Sequence, residues 1–222
     1  MVHMPNMPRI LLAATAAVWL GSAQAHQDED HVPADAGTPS DTGQAATTAI
    51  TDPSAMPFPV DLGGSFSLVD HNGLRRTDKD FRGDYMLVFF GYVNCQSMCT
   101  VALHRIAKAV DKLGDDAKRL QAVMITVDPE NDTPEVMRAE LAKLHPRLLG
   151  LTGSADELAE AYDAYRIKPG AVGADAHGNT VINHTSYAYL TGPKGKMLTL
   201  LPPILGPERM AEILAKYMSA EG

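Results

Sequence analysis

Residues 86–99 read MLVFFGYVNCQSMC, an uncharged run that leads into two cysteines. Its first seven residues, MLVFFGY at 86–92, form a continuous apolar run, which is typical of a β-strand covered on both faces, as in sheets that carry helices on both sides. Cys95 and Cys99 follow the run directly, and apolar residues at helical spacing continue over 101–113. The stretch therefore predicts a buried strand, a short loop that carries cysteines, and a helix.

The rest of the chain continues this alternation of strands and helices. The other predicted elements are a hairpin around Asn72-Gly73, a strand at 120–127, a helix that begins at Thr133-Pro134 and reaches about 144, a strand at 148–151, a helix at 155–165, strands at 187–190 and 197–201 joined by a turn at Lys194-Gly195, and a C-terminal helix. The order predicts an α/β fold with a mixed central sheet and helices on both faces.

The composition excludes several classes of protein. The 222 residues include 45% hydrophobic and 21% charged residues, which fits one globular domain with attachments. Two cysteines are too few for a disulfide scaffold or a four-thiolate zinc site. The formal charge of −8 argues against a nucleic-acid partner. Outside the first thirty positions there is no run of ~20 apolar residues, which excludes a polytopic membrane protein.

The N-terminus predicts a cleaved secretory signal peptide over residues 1–25. Arg9 precedes an apolar segment at 10–21, and Ala23-Gln24-Ala25 is a small-x-small cleavage site. Because a membrane span needs ~20 apolar residues, an uncleaved anchor in the inner membrane is the less favoured alternative. We therefore expect a periplasmic protein whose mature chain begins at His26.

Residues 26–57 predict a disordered acidic linker before a folded domain at 58–222. The linker has six acidic residues and no Lys or Arg, and its composition buries too little apolar surface to offset the entropy of ordering. The folded domain carries 18 basic and 21 acidic residues and is nearly neutral. His26 and His31 lie among acids, and the amino group and imidazole of His26 could chelate copper(II). Simple solvation of this tail is the alternative.

Cys95 and Cys99 have three interpretations. Positions i and i+4 of a helix share a face, and a helix N-terminus favours the thiolate, which suits copper(I) and leaves room for a third ligand. A structural disulfide is the second, although so short a loop restrains the unfolded chain little. The third is a peroxidase that attacks through Cys95. Its signature would place Pro at position 88 and Thr or Ser at 92, where this chain has Val88 and Tyr92.

Four motifs resemble those of the SCO/SenC family of copper-binding proteins. The chain has FGYVNCQSMC at 90–99 for the family's FGFTxCPDVCP, VDPENDTPE at 127–135 for VDPERDTPE, GLTG at 150–153 for GLTG, and VINHTSYAYL at 181–190 for VDHSxxxYL. The motifs occur in the family's order and span roughly residues 63–200, so the joint match is highly specific.

This resemblance implies a thioredoxin-like fold and an extracytoplasmic role in assembling the binuclear copper centre of cytochrome c oxidase. In the family, the cysteines of the first motif and the histidine of the last bind copper, which implies Cys95, Cys99 and His184 here. Because neutral imidazole also suits copper(II), such a site could hold both Cu(I) and Cu(II).

The chain departs from the family's motifs around these ligands. Gln96, Ser97, Thr100, Asn131 and Asn183 stand where the family has Pro, Asp, Pro, Arg and Asp. None of these changes removes a ligand, but each alters the surroundings that set thiolate pKa and ligand orientation. We expect Asp128 at most to orient a ligand, and Met98 to fill an apolar gap rather than to lend its thioether. The remaining histidines of the folded domain, at 71, 104, 145 and 177, show no ligand spacing, and His71 is most simply a turn residue.

Two functions follow from the sequence. The leading one is a periplasmic copper metallochaperone, not an enzyme, that delivers copper to the copper-bearing subunit of cytochrome c oxidase or to another periplasmic cuproprotein. The alternative is a thiol–disulfide oxidoreductase in which Cys95 and Cys99 keep the acceptor's cysteines reduced through a mixed disulfide. A thioredoxin-like reductant is a further candidate partner. The i,i+4 spacing and the histidine favour metal binding over the usual C-x-x-C redox arrangement.

Overall fold

The computed structural model describes residues 62–220 except 96, 97, 176, 177, 179 and 203, with the backbone alone at 98 and 99. The predicted signal peptide at 1–25 and linker at 26–57 lie outside the described residues and stay predictions. Among the helices described, none has the length and apolar character needed to cross a membrane.

A tight hairpin opens the described part of the chain. β1 (Ser67–Asp70) pairs antiparallel with β2 (Arg75–Thr77), as the sequence predicts. Gly73 has a φ of +82°, in the left-handed region that favours glycine. The Asp70 carboxylate accepts the backbone N–H of Asn72 at 2.8 Å, so this side chain holds the turn together.

Three parallel strands form the centre of the sheet. They are β3 (Tyr85–Gly91), β4 (Leu120–Thr126) and β5 (Leu148–Thr152), connected by α1 (Met98–Lys112) and α2 (Pro134–Leu144). All seven residues of β3 are buried, as the uncharged run predicts. Thr133 caps α2 by accepting the N–H of Val136, with Pro134 as the first helical residue.

A second sheet of two strands follows α3 (Ala155–Ala164). It consists of β6 (Gly170–Ala174) and β7 (Thr180–Asn183), which pair antiparallel. The sequence prediction missed this hairpin, because every residue of β6 is exposed and the alternation that marks a half-buried strand is absent. The hairpin matters for the site because β7 leads directly into His184.

Antiparallel strands complete the main sheet. β8 (Ala188–Thr191) pairs with β3, β9 (Met197–Leu201) pairs with β8, and α4 (Pro207–Ala220) follows. The strand order is β2-β1-β5-β4-β3-β8-β9, with β1 antiparallel to β5. The sheet therefore mixes parallel and antiparallel pairs, which confirms the prediction.

Helices cover both faces of the main sheet. Side chains of a strand alternate between faces, so Tyr85 and Phe90 point in opposite directions. The Tyr85 hydroxyl lies 3.4 Å from carbonyl oxygens of α4, whereas the Phe90 ring packs against Tyr162 and Tyr165 at the C-terminal end of α3. The helices α3 and α4 therefore lie on opposite faces.

The ends of most predicted elements differ from the structure by one to three residues, and two of these differences lie near the site. The helix predicted at 101–113 begins earlier, at Met98, and ends at Lys112. The strand predicted at 187–190 is shifted by one residue to Ala188–Thr191. The earlier start of α1 places Cys99 in the first turn of the helix rather than in the loop before it.

Candidate metal centre

Cys95 lies just beyond the carboxyl end of β3. It is 2% exposed, and its backbone N–H donates to the carbonyl of Tyr92 at 3.4 Å. The hydroxyl of Thr100, in the first turn of α1, donates to the Cys95 carbonyl. Cys95 is disulfide-bonded, and the sequence has one other cysteine, Cys99, within the same turn of α1.

His184 lies in the segment that joins β7 to β8, and its ring approaches β3. Its half-buried ring meets the ring of Phe89 edge-on at a centroid distance of 6.0 Å and that of Tyr92 at 6.1 Å. Because Tyr92 also accepts the Cys95 N–H, the structure brings His184 and Cys95 to the same end of β3. These are two of the three residues that the resemblance implies as ligands.

The ring nitrogens of His184 have different roles. Nδ1 lies 2.8 Å from the carbonyl oxygen of Thr185, which can only accept a hydrogen bond, so Nδ1 carries the proton. In this tautomer the lone pair that can bind a metal is on Nε2. Burial lowers the pKa of His184 below its ordinary value, against the opposing effect of the Thr185 hydrogen bond. Burial therefore favours the neutral ring, and the Thr185 hydrogen bond selects the tautomer in which Nε2 can bind a metal.

A buried carboxylate organises the loop that leads to Cys95. Asp132 is fully buried and accepts the backbone N–H of Val93 through both oxygens, each at 3.3 Å. The Thr126 hydroxyl donates to the same carboxylate at 2.6 Å. Burial raises the pKa of Asp132 to about 6, and the charge of Asp128 adds to this effect, against the two hydrogen bonds. Asp132 therefore ties the loop after β4 to the loop after β3.

The sequence analysis considered Asp128 rather than Asp132. The Asp128 carboxylate accepts both of its described hydrogen bonds, at 3.0 and 2.9 Å, from the side-chain amide of Asn131. Its backbone N–H donates to Thr126, so it contributes to the same network from the other side. The sequence signal for Asp132 was its position next to Thr133, the cap of α2, in an acidic motif. Its partner is the backbone N–H of Val93, and a sequence pattern does not identify such a partner.

The other described histidines have structural partners. His71 accepts the N–H of Gly150 through Nδ1 at 3.1 Å, in addition to its place in the turn. His145 lies 3.1 Å from an Asp111 carboxylate oxygen, and His104 Nδ1 lies 2.8 Å from the Thr100 carbonyl. His177, like His26 and His31, lies outside the described residues. Within the described set, which leaves out the side chain of Cys99, no three His, Cys, Asp or Glu side chains form a group that could hold a metal.

Comparisons with known proteins identify relatives of this chain. A model of the SCO1/SenC family matches residues 54–219. The mitochondrial SCO2 homolog of Mus musculus is 35% identical over 159 residues, which cover 71% of this chain and 62% of that protein. The SCO2-like protein of Rickettsia conorii is 31% identical over 156 residues, covering 70% and 76%. The solved structure of Bradyrhizobium japonicum ScoI with copper bound is 35% identical, with a TM-score of 0.65 over 70% of this chain and 99% of that one.

The architecture and the site define a class. This is a thioredoxin-like protein, since it has a mixed sheet with helices on both faces. Its Cys-x-x-x-Cys motif follows the carboxyl end of β3. The chain belongs to the SCO1/SenC family, as the motifs predict. It spans about three fifths of the length of the mammalian SCO2 homologs it matches.

Proposed function

We propose that this protein is a copper chaperone that binds copper through Cys95, Cys99 and His184 and delivers it to the binuclear copper centre of cytochrome c oxidase or to a related cuproprotein. The observation that carries the proposal is the placement of His184. Its ring packs on the strand that leads into Cys95, in the tautomer whose Nε2 can bind a metal. The copper-bound structure of a relative that is 35% identical supports copper as the metal.

The chemistry of the donor set fits copper in both oxidation states. Two thiolates are soft ligands that suit copper(I), and neutral imidazole suits copper(II) as well. The lowered pKa of His184 favours the neutral ring, which is the form that binds a metal. Copper would then pass to the acceptor by stepwise exchange of these ligands for those of the acceptor.

Copper binding requires that the disulfide of Cys95 be reduced first. We infer that its partner is Cys99, the only other cysteine of the sequence. Reduction to two thiols takes up two electrons and two protons, and the thiols release those protons when they bind the metal. A thioredoxin-like dithiol would supply the electrons by thiol–disulfide exchange and would itself become a disulfide.

The place of action follows from the N-terminal sequence. A signal peptide over 1–25, cleaved after Ala25, would deliver the domain to the periplasm, with the acidic linker 26–57 ahead of it. An uncleaved anchor in the inner membrane would leave the domain on the same side. Either arrangement exposes the copper site to an acceptor outside the cytoplasm.

A second function is favoured by one observation, the disulfide at Cys95. A thiol–disulfide oxidoreductase would attack an acceptor's disulfide with one thiolate, form a mixed disulfide and resolve it with the other cysteine. The acceptor would gain two thiols, and this protein would return to its disulfide. This reaction needs both cysteines and has no use for His184 as a ligand.

The experiment that separates these functions is a copper(I) titration of the purified, fully reduced protein against a chromophoric competitor, followed by copper(II) binding. We expect one tightly bound copper(I), lost in the double variant Cys95→Ser/Cys99→Ser. His184→Ala should lose copper(II) binding and weaken copper(I) binding, while it keeps disulfide exchange with a small dithiol. His104→Ala, which changes an exposed histidine of α1, is the matched control.

Two results would count against the chaperone. Equal copper(II) binding by the wild type and His184→Ala would exclude the imidazole as a ligand. Weak copper(I) binding by the reduced wild type, together with rapid disulfide exchange, would favour the oxidoreductase.

A further inference from the structure

Tyr92 is the first residue after β3 and contacts both segments that carry the proposed ligands. Its carbonyl accepts the N–H of Cys95 at 3.4 Å. Its hydroxyl accepts the N–H of Ile182 at 3.5 Å, across 90 positions of sequence. Its ring meets that of His184 edge-on, with centroids 6.1 Å apart and planes at 81°. One residue thus links the cysteine motif, through its carbonyl, to the histidine segment, through its side chain.

The position of Tyr92 is set by the main sheet. The residue is 5% exposed and continues directly from a strand whose residues are all buried. The next residue, Val93, is held by the buried carboxylate of Asp132. The Tyr92 ring is therefore held by β3 and by the loop after β4, so it can fix the orientation of a less constrained side chain that packs on it.

In the part of the chain that the structure describes, the segment that carries His184 is not itself paired in the main sheet, so the orientation of His184 depends on side-chain contacts. β7 ends at Asn183 and, within the described residues, pairs in a sheet only with β6. The main sheet resumes at Ala188 in β8. Between them, the described side-chain contacts to the main sheet include Tyr92 with His184, Phe89 with His184, and the Thr185 hydroxyl with the Tyr189 hydroxyl at 3.0 Å.

We propose that Tyr92 is a positioning residue for the copper site, which sets the orientation of the His184 ring relative to the cysteine motif. The Tyr92 hydroxyl holds the end of β7 by accepting the Ile182 N–H. The edge-on contact between the two rings limits rotation of the His184 imidazole. This inference rests on the proposed function, since it assigns a role to Tyr92 within the same site. It adds a residue that touches no metal but determines how the imidazole ligand is presented.

The two parts of the Tyr92 side chain can be removed separately. Tyr92→Phe removes the hydroxyl that accepts the Ile182 N–H and keeps the ring against His184. Tyr92→Leu removes the ring as well. If Tyr92 orients the imidazole, Tyr92→Phe should change the site less than Tyr92→Leu, and both should change it in the same direction.

The first readout needs no copper. The ¹⁵N chemical shifts of the His184 ring report which nitrogen carries the proton, and we expect the Nδ1–H form in the wild type and, as the major form, in Tyr92→Phe. In Tyr92→Leu the two tautomers should average, because the ring is released from its orientation toward the Thr185 carbonyl. The control Tyr187→Leu, which changes an exposed tyrosine in the same segment, should keep the wild-type shifts.

The second readout uses copper(II). Loss of a residue that orients a metal ligand costs on the order of 10-fold or more in affinity, and we expect this for Tyr92→Leu, with altered electron paramagnetic resonance parameters. Copper(I) binding should fall less, because the two thiolates remain. The control Phe66→Leu removes a buried ring that packs against Phe81, and it should leave the copper(II) spectrum unchanged.

The two readouts separate failure of this inference from failure of the proposed function. Wild-type ring shifts and wild-type copper(II) affinity in Tyr92→Leu would overturn the role of Tyr92. The same would follow if Phe66→Leu altered the copper(II) spectrum as much as Tyr92→Leu did. If the wild type binds no copper, the proposed function fails, but averaged tautomers in Tyr92→Leu alone would still establish that Tyr92 orients His184.

Discussion

The carboxylate of Asp132 accepts the backbone N–H of Val93 through both of its oxygens, each at 3.3 Å. The two residues are 39 positions apart and belong to different motifs, one in the loop after β3 and the other in the loop after the neighbouring parallel strand β4. Because Val93 lies between Tyr92 and Cys95, this buried acid supports both the cysteine and the tyrosine that contacts His184. Its ionisation state therefore bears on the stability of the candidate site.

We predict a pH dependence of stability that depends on Asp132. Its folded pKa of about 6 lies above the ordinary value of 3.8, so between these values the folded protein holds a proton that the unfolded chain has released. The stability from this proton is present at low pH and is lost as the pH rises through 6. The loss between pH 5 and pH 7 should be about 1 kcal/mol for this group.

The measurement is urea unfolding followed by circular dichroism at both pH values. Asp132→Asn should lack this component, so that its unfolding free energy falls less than that of the wild type between pH 5 and pH 7. The variant should also be less stable at pH 5, because an amide cannot reproduce every hydrogen bond of the acid. Asp115→Asn, at an exposed acid, should keep the wild-type slope. An unchanged slope in Asp132→Asn would contradict the assignment.

The main sheet could be predicted because its strands carry their own signals. The uncharged runs of β3 and β4 require burial on both faces, and Thr133 with Pro134 marks the start of α2 without any tertiary information. These signals are local, so a single sequence is enough to read them. The family's motifs add the fold type and the candidate ligands.

The parts that could not be predicted depend on contacts of backbone groups that form only in the folded chain. β6 is exposed throughout and has no pattern of alternation. Asp132 acts on the N–H of Val93, a group that every non-proline residue has, so the sequence does not indicate the pairing. The His184 tautomer likewise depends on the direction of the Thr185 carbonyl, which follows from the folded loop.

Gly150 in β5 tests how closely α2 packs on the sheet. A Cβ at this position would lie 2.6 Å from Met137 Cε, 2.8 Å from Leu141 Cδ1 and 3.2 Å from Met137 Cβ. Gly150→Ala should therefore cost about 1–3 kcal/mol through overpacking, measured by urea unfolding. Gly170→Ala, in an exposed strand where a Cβ meets nothing within 4 Å, is the matched control and should be nearly neutral. Equal stability of the two variants would contradict this packing.

Thr100 stands where the family's motif has proline, and its hydroxyl donates to the carbonyl of Cys95. A proline could not make this hydrogen bond. We expect the hydrogen bond to replace part of the rigidity that a proline would supply to the cysteine loop. Thr100→Val keeps the shape and removes the hydroxyl, and should lower the stability of the oxidised protein by about 0.5–1.5 kcal/mol. Thr100→Ser keeps the hydroxyl and should recover most of that loss. Thermal unfolding followed by circular dichroism measures both variants. Wild-type stability in Thr100→Val, which lacks the hydroxyl, would contradict this role of the hydrogen bond.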